Sequence, residues 1–265
     1  MLDSGRKTNI MDAKYLRTIL WLQKKEVIFM FIRGFSIHWD DIQEDSYLRN
    51  IPALRGMNGF MFTHPVTFFS GENGTGKSTL LEAIAVAYGF NAEGGTRNYH
   101  FSTYDDVSDL QKAIRLVQGM RKRPSGYFFR AESFFNVATV TMTEYDDGTM
   151  PDYHAQSHGE SFLHFMQRYG PEGIFIMDEP EAALSPQRQL TLLMTIHQME
   201  QAGSQFIIAT HSPILLGYPE AEILSFDDTG IHARTWEETE SYRITKLFIE
   251  NRDRLLQRMF ESEDE

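Results

Sequence analysis

The sequence contains no cysteine among its 265 residues. This absence excludes disulfides, thiolate metal sites and cysteine nucleophiles, and it favours a reducing compartment. Long apolar runs are also absent, because the longest, Val27 to Ile32, is far too short to span a bilayer. The N-terminal stretch lacks the long apolar segment of a secretion signal. We therefore expect a cytoplasmic chain without membrane insertion, whose chemistry depends on Lys, Ser, Thr, Asp, Glu and His.

The sequence also has fewer basic than acidic residues. The chain has 25 Lys and Arg against 37 Asp and Glu, which gives a formal net charge of −12. Non-specific binding of nucleic acid depends mainly on neutralisation of phosphates by Lys and Arg, so the surface as a whole should not attract nucleic acid. The best candidate for a local basic patch is Arg121-Lys122-Arg123, which is most simply interpreted as a solvated loop. DNA as a partner is left open.

The order of apolar runs predicts the fold class. Short β-prone runs at 27–33, 60–62 and 66–70 predict an antiparallel piece that leads into a buried strand. Strands then alternate with helices, which predicts an α/β fold with a mostly parallel sheet flanked by helices. The predicted helices are 77–87, 107–117, one from Gly159, 186–201 and 242–260, the predicted strands are 127–130, 174–177, 205–210 and 222–226, and 137–143 is ambiguous.

We divide the chain into an N-terminal extension (1–26), a main domain (27–240) and a C-terminal helix with an acidic tail (241–265). The last helix is expected to pack on the body of the protein. Its apolar residues recur near helical spacing, and they are Ile244, Leu247, Phe248, Leu255 and Phe260.

The segment Gly71 to Ser78, GENGTGKS, fits the phosphate-binding pattern G-x-x-x-x-G-K-[ST] between a predicted strand and a predicted helix. Its glycines let backbone N–H groups point at a phosphate, and the helix dipole adds positive potential. Lys77 would reach the β- and γ-phosphates, and Ser78 would give its hydroxyl to Mg²⁺. The alternative is a glycine-rich turn that caps a helix. The predicted nucleotide contacts are Gly71, Asn73, Gly74, Thr75, Gly76, Lys77, Ser78 and Thr79.

Two adjacent carboxylates end the apolar strand 174–177. Asp178 would hold Mg²⁺ through water, which makes Ser78 and Asp178 the predicted metal ligands. Glu179 would take a proton from the attacking water or orient it. The alternative is a solvated turn after the strand.

His211 follows another buried strand, 205–210. The interval from Asp178 leaves room for one helix, so the two strand ends are expected to be neighbours. His211 would then contact the γ-phosphate, a role that suits a side chain able to donate or share a proton near neutral pH. The predicted catalytic set is Lys77, Glu179 and His211. The alternative for His211 is a structural histidine.

Together these motifs resemble the ABC-type ATPases, in particular the soluble RecF, Rad50 and OLD-like branch that is often described as AAA-family ATPases. The resemblance spans about residues 27–226. It implies ATP and Mg²⁺ as ligands. It also implies that Ser157, Gly159 and Glu160 form a signature motif, which binds the γ-phosphate held by the opposite protomer of a head-to-tail homodimer. Taken alone, Ser157 followed by Glu160 is equally typical of a helix cap.

The chain departs from this family in several places. Residues 181–185 resemble the D-loop but lack its usual final Asp, and no clear Q-loop glutamine is found, with Glu132 a weak substitute. The interval between Ser78 and Asp178 is too short for the long coiled coil of Rad50-like proteins. Three histidines near the signature are interpreted as surface or motif-flanking residues, namely His154, His158 and His164.

The resemblance implies an ATP hydrolase whose ATP-driven dimerisation regulates a separate partner, with DNA maintenance and phage defence as contexts. ATP is favoured over GTP because the sequence lacks an Asn-Lys-x-Asp pattern. The effector is expected to be another polypeptide, since the chain shows no nuclease constellation. Two alternatives stay open: the nucleotide-binding subunit of an ABC transporter, and a nucleotide-gated binding module with little turnover.

Overall fold

The computed structural model of the chain describes residues 30–96, 109–120, 125–130, 166 and 172–261. Within these residues the strands are β1 (Ile32–Ile37), β2 (Gly59–Met61), β3 (Val66–Gly71), β4 (Ile114–Gln118), β5 (Ser125–Arg130), β6 (Gly173–Asp178), β7 (Gln205–Ala209), β8 (Glu222–Asp227) and β9 (Gly230–Ala233). The helices are α1 (Lys77–Tyr88), α2 (Leu110–Ala113), α3 (Pro186–Gln201) and α4 (Glu240–Glu261). The mixed α/β class predicted from the sequence is confirmed.

The main sheet has the strand order β5-β6-β7-β3-β8-β9. Its first five strands run parallel, and β9 pairs antiparallel with β8 at the edge. β6 and β7 are neighbours, as predicted, and Asp178 pairs with Ala209. β7 also lies between β6 and β3, so three consecutive strands of the sheet end on the same side. The carboxyl ends of parallel strands are where ligands gather in α/β sheets.

A smaller antiparallel sheet, in the order β2-β1-β4, covers one side of the molecule. The antiparallel piece predicted near the N-terminus is thus confirmed. The predicted helix 107–117 is wrong, because the chain makes a single short helix, α2, and then forms β4 along β1. Ile114 is buried and Leu116 packs against the same apolar cluster, so burial beside β1 outweighs local helix propensity here.

Alternation along the central strands divides the core into two layers. Ile174 and Ile176 of β6 pack in the cluster that contains α1 and the small sheet. Phe175 and Met177 face the opposite cluster, which contains α3. Successive side chains of a strand point to opposite faces, and both faces are apolar because both are covered. The main sheet therefore lies between two apolar layers, and polar groups are found at the ends of its strands.

One buried glutamine joins the two sheets. Gln205 is 1% exposed, and its Oε1 accepts hydrogen bonds from the backbone N–H groups of Phe31 and Ile32, both at 2.9 Å. Its Nε2 donates to the carbonyl oxygen of Ile32 at 2.7 Å. A buried amide is stable when its hydrogen bonds are made. Gln205 thus fixes the start of β1 to the start of β7.

Helix α4 does not pack on the body in the way that its apolar spacing predicts. Its start contacts the body through Tyr242, whose ring centroid lies 4.5 Å from that of Trp236. None of its residues is buried, and Ile244, Leu247 and Phe248 remain 58%, 51% and 44% exposed. Apolar periodicity predicts the helix, but it does not identify what covers the apolar face. No helix among the described residues is long and apolar enough to cross a membrane.

Several predicted features lie outside the described residues. These are the ambiguous segment 137–143, the helix from Gly159, the basic run 121–123, the signature residues Ser157, Gly159 and Glu160, the three neighbouring histidines and Glu132.

Candidate nucleotide site

The loop after β3 depends on glycine. Gly71, Gly74 and Gly76 have φ angles of +135°, +81° and +98°, which side chains rarely allow. A Cβ at Gly71 would lie 2.3 Å from the carbonyl oxygen of Phe226, and one at Gly76 would lie 2.6 Å from Cγ2 of Ile51. Gly76 is also the N-cap of α1 and has no side chain to cap it. The first N–H groups of α1 are therefore left for a ligand at the helix start, where the dipole favours an anion.

Lys77 folds back into this loop. Its Nζ donates to the carbonyl oxygens of Gly71 and Glu72, both at 2.7 Å, and the residue is 4% exposed. Burial lowers the pKa of Lys77, and the nearby carboxylates of Glu179 and Asp178 oppose that fall. The ammonium is thus held by two neutral carbonyl oxygens of the loop.

Ser78 and Asp178 meet across the sheet edge. Ser78 Oγ donates to Asp178 Oδ1 at 2.9 Å, which joins the first turn of α1 to the end of β6. A hydroxyl and a carboxylate are the hard oxygen ligands that Mg²⁺ accepts, and Mg²⁺ usually takes one or two carboxylates together with phosphate oxygens and waters. The two side chains therefore fit a magnesium ion.

Glu179 and His211 face each other beside this pair. Glu179 has a left-handed backbone, with φ of +49°, and its N–H donates to the Ala209 carbonyl oxygen at 2.9 Å. Its Oε1 lies 3.5 Å from His211 Nε2, which is too long for a well-formed hydrogen bond and makes an ion pair only when the imidazole is protonated. A left-handed non-glycine residue is uncommon, and strained backbone of this kind clusters at functional sites. The turn places the carboxylate over the end of β7.

The imidazole of His211 carries an unused ring nitrogen. Nε2 is buried and makes no hydrogen bond within the described part of the chain. Burial lowers the pKa of His211, the charge of Lys77 lowers it further, and Glu179 and Glu181 oppose the fall. A neutral imidazole is therefore favoured near pH 7, with one N–H to donate and one nitrogen to accept.

Two contacts at this edge could not be identified from sequence. Arg130, at the end of β5, donates to Glu82 of α1 at 2.7 Å, and it pairs in register with Asp178. Glu181 accepts from the backbone N–H of His211 at 2.6 Å. The opposite charges of Arg130 and Glu82 are a weak signal in the sequence, and Glu181 stands out there only through the D-loop resemblance of residues 181–185.

The D-loop position that lacks its usual Asp has a local role. Ser185 is the N-cap of α3, and its Oγ accepts from the backbone N–H of Arg188 at 3.4 Å. Pro186 follows at the first helical position, where proline is favoured. Ser185 thus caps the start of α3.

Two family models match the chain. Residues 47–128, which contain the glycine loop, match one described as "AAA domain". Residues 161–217, which contain Asp178, Glu179 and His211, match one described as "AAA domain, putative AbiEii toxin, Type IV TA system". The matches support a P-loop ATPase. A particular branch of the P-loop ATPases does not follow from them, and no curated protein matches the chain.

Solved structures with a similar arrangement include ABC transporter cassettes. The dimeric bacterial cassette MJ0796 is 14% identical, with a TM-score of 0.40, and the match covers 78% of this chain and 97% of the cassette. The protein cbiO1 from Clostridium perfringens, part of the transporter complex cbiONQ, is 15% identical with a TM-score of 0.40 over 74% of this chain and 88% of its own. These likenesses are too distant to support an assignment of function.

Proposed function

We propose that this P-loop ATPase binds ATP with Mg²⁺ and hydrolyses it in sites completed by a second copy of the chain, and that ATP-driven dimerisation regulates a separate partner. One observation supports the proposed binding and hydrolysis of ATP. An ammonium, a hydroxyl, two carboxylates and an imidazole converge at one sheet edge beside a glycine loop that leads into a helix start without a side-chain cap. This combination suits the binding of a triphosphate and its attack by water.

Binding would exchange the contacts of Lys77. Without ligand its ammonium is satisfied by the carbonyl oxygens of Gly71 and Glu72. Phosphate oxygens are charged acceptors and form stronger bonds than neutral carbonyls. The side chain therefore gains by turning from the loop backbone to a bound triphosphate, while the first N–H groups of α1 hold the same anion.

Ser78 and Asp178 would hold the magnesium ion. When bound, Mg²⁺ neutralises charge on the phosphate oxygens. Ser78 would release Asp178 and turn its hydroxyl oxygen to the ion, while Asp178 would act directly or through water. Because the two groups are in contact, no movement of the strands is needed to assemble them.

Glu179 is the candidate general base. Its carboxylate is 43% exposed, so it can reach a water at the sheet edge. His211 lies beside it, and its neutral ring can donate one hydrogen bond to a phosphate oxygen. Because its pKa is lowered, the ring of His211 stays neutral near pH 7 and does not form an ion pair with the carboxylate of Glu179.

The proposals of a dimer and of a separate partner are based on the sequence. The resemblance to ABC-type ATPases, with Ser157, Gly159 and Glu160 as the signature, supports a site shared between two copies. A defence context is supported by the description of the second matched model, which names a toxin of a toxin–antitoxin system. A transporter subunit is the alternative, and recovery of a membrane permease with the native protein would favour it.

The decisive variant is Glu179→Gln, which keeps the shape of the side chain and removes the base. We expect ATP turnover to fall by roughly 10²-fold or more, as for loss of a general base. ATP binding should persist, so a dimer should accumulate with ATP and be seen by size-exclusion chromatography with light scattering. Glu237→Gln, a surface change outside this site, is the matched control. Unchanged turnover would refute the catalytic role, and a monomer with bound ATP would refute the dimer.

A further inference from the structure

Glu181 links the two loops that carry the predicted catalytic residues. It lies in the short 3-10 turn Pro180–Ala183, directly after Glu179. Its Oε1 accepts a hydrogen bond from the backbone N–H of His211 at 2.6 Å. Since β6 and β7 are parallel neighbours, both loops leave the same edge of the sheet. A single carboxylate thus fixes the backbone at His211 relative to the turn that holds Glu179.

The other oxygen of Glu181 is costly for the folded protein. Oε2 is buried and has no hydrogen-bond partner within the described residues. Burying a carboxylate oxygen without a partner destabilises a fold, and such groups call for a functional explanation. A glutamine or a small side chain would avoid the buried charge. Stability alone therefore does not account for a carboxylate at this position.

The charged groups around His211 indicate a role for the carboxylate of Glu181. Burial and the charge of Lys77 lower the pKa of the imidazole, and the carboxylates of Glu179, Glu181 and Glu72 oppose that fall. Without Glu181 the backbone of His211 would lose its tether, and the ring would lose one of the charges that balance Lys77. Loss of the tether would let the imidazole turn away from Glu179, and loss of the charge would change the electrostatic balance at the ring.

We propose that Glu181 is a positioning residue, which holds the backbone of His211 so that its imidazole faces Glu179 and the reacting phosphate. The proposal rests on the proposed function and extends it to a residue that contacts neither substrate nor metal. The competing explanation is a staple between two loops that affects folding alone.

A double-mutant cycle separates the two explanations. ATP turnover is measured for Glu181→Ala, Glu181→Gln, His211→Ala and the double variant Glu181→Ala/His211→Ala. We expect Glu181→Ala to lower kcat about tenfold or more and to leave KM within about threefold, since the residue acts through His211. Glu181→Gln keeps an acceptor oxygen but removes the charge, so its loss should be smaller than that of Glu181→Ala and larger than zero. In the double variant, Glu181→Ala should add less than about twofold to the loss from His211→Ala.

The outcomes decide the proposal. Independent effects that multiply in the double variant would overturn it, as would a loss at Glu181 that appears in KM alone. Glu237→Ala is the matched control, and its kcat should equal that of the wild type. If Glu181→Ala does not fold, Glu181→Gln takes its place: its loss of kcat should appear when His211 is present and disappear in the His211→Ala background, and an equal loss in both backgrounds would overturn the proposal.

A second measurement does not depend on turnover. The Cε1–H resonance of His211 is assigned in the nucleotide-free protein by its loss in His211→Ala. We expect this resonance to shift in Glu181→Ala and to stay in place in Glu237→Ala. An unchanged resonance would overturn the positioning role. If the wild type hydrolyses no ATP, the proposed function fails, and this measurement still tests the contact between Glu181 and His211.

Discussion

Replacement of Ser78 by alanine tests the candidate metal site before any nucleotide is added. The change removes the donor of the 2.9 Å hydrogen bond to Asp178, which is 9% exposed. A hydrogen bond to a charged group contributes about 1.5–3 kcal/mol to stability. For a protein of this size, about 1 kcal/mol shifts Tm by roughly 2–4 °C, so Ser78→Ala should melt about 3–12 °C below the wild type. Ser78→Thr keeps the hydroxyl and should melt near the wild type.

The assay is calorimetry in EDTA, followed by the same scans with ATP and with ATP and Mg²⁺. A ligand that binds the folded state raises Tm in proportion to the logarithm of its concentration over Kd. The wild type and Ser78→Thr should gain more from ATP with Mg²⁺ than from ATP in EDTA, and Ser78→Ala should lose that increment because one metal ligand is gone. The reasoning is refuted if Ser78→Ala melts within about 1 °C of the wild type in EDTA, or if it keeps the full magnesium increment.

Three further predictions follow from the loop and the sheets. Gly76→Ala should lower the free energy of unfolding in urea more than Gly74→Ala does. Both substitutions incur about 1–2 kcal/mol of left-handed strain, and only the Cβ at position 76 meets another atom at 2.6 Å. Equal losses would contradict this. Gln205→Leu should cost about 2–5 kcal/mol, since three backbone groups lose their partner, whereas the exposed Gln201→Leu should cost little. Lys77→Ala should weaken ATP binding at least about tenfold by titration calorimetry, for loss of a charge-assisted bond; an unchanged Kd would exclude Lys77 from the phosphate site.

The glycine loop and its proximity to Asp178 could be predicted from sequence because these residue types leave few alternatives. A glycine pattern between a strand and a helix specifies backbone geometry directly, and the positive φ angles at Gly74 and Gly76 agree with it. The adjacency of the strand ends near Asp178 and His211 followed from the one-helix interval between them. These are local rules, and tertiary contacts do not easily override them.

Other features depend on contacts that one sequence does not reveal. Residues 114–118 have enough helix propensity to predict a helix, yet the open edge of β1 makes them a strand. The exposed face of α4 could not be foreseen, because periodicity shows that a face is apolar and not whether it is covered. Glu181 was also missed as a site residue, since its contact with His211 joins two loops that are distant in sequence.

The position of β7 between β3 and β6 determines how stiff the candidate site is. Backbone hydrogen bonds continue past the strand ends, from Thr210 N–H to the Phe69 carbonyl oxygen and from Glu179 N–H to the Ala209 carbonyl oxygen. The three chain segments that enter the candidate site are therefore joined to one another by backbone hydrogen bonds as far as Glu179 and Thr210. Rearrangements at this edge are therefore expected in side chains and in the turns beyond Glu179 and His211, while these backbone bonds keep the ends of β3, β6 and β7 in register.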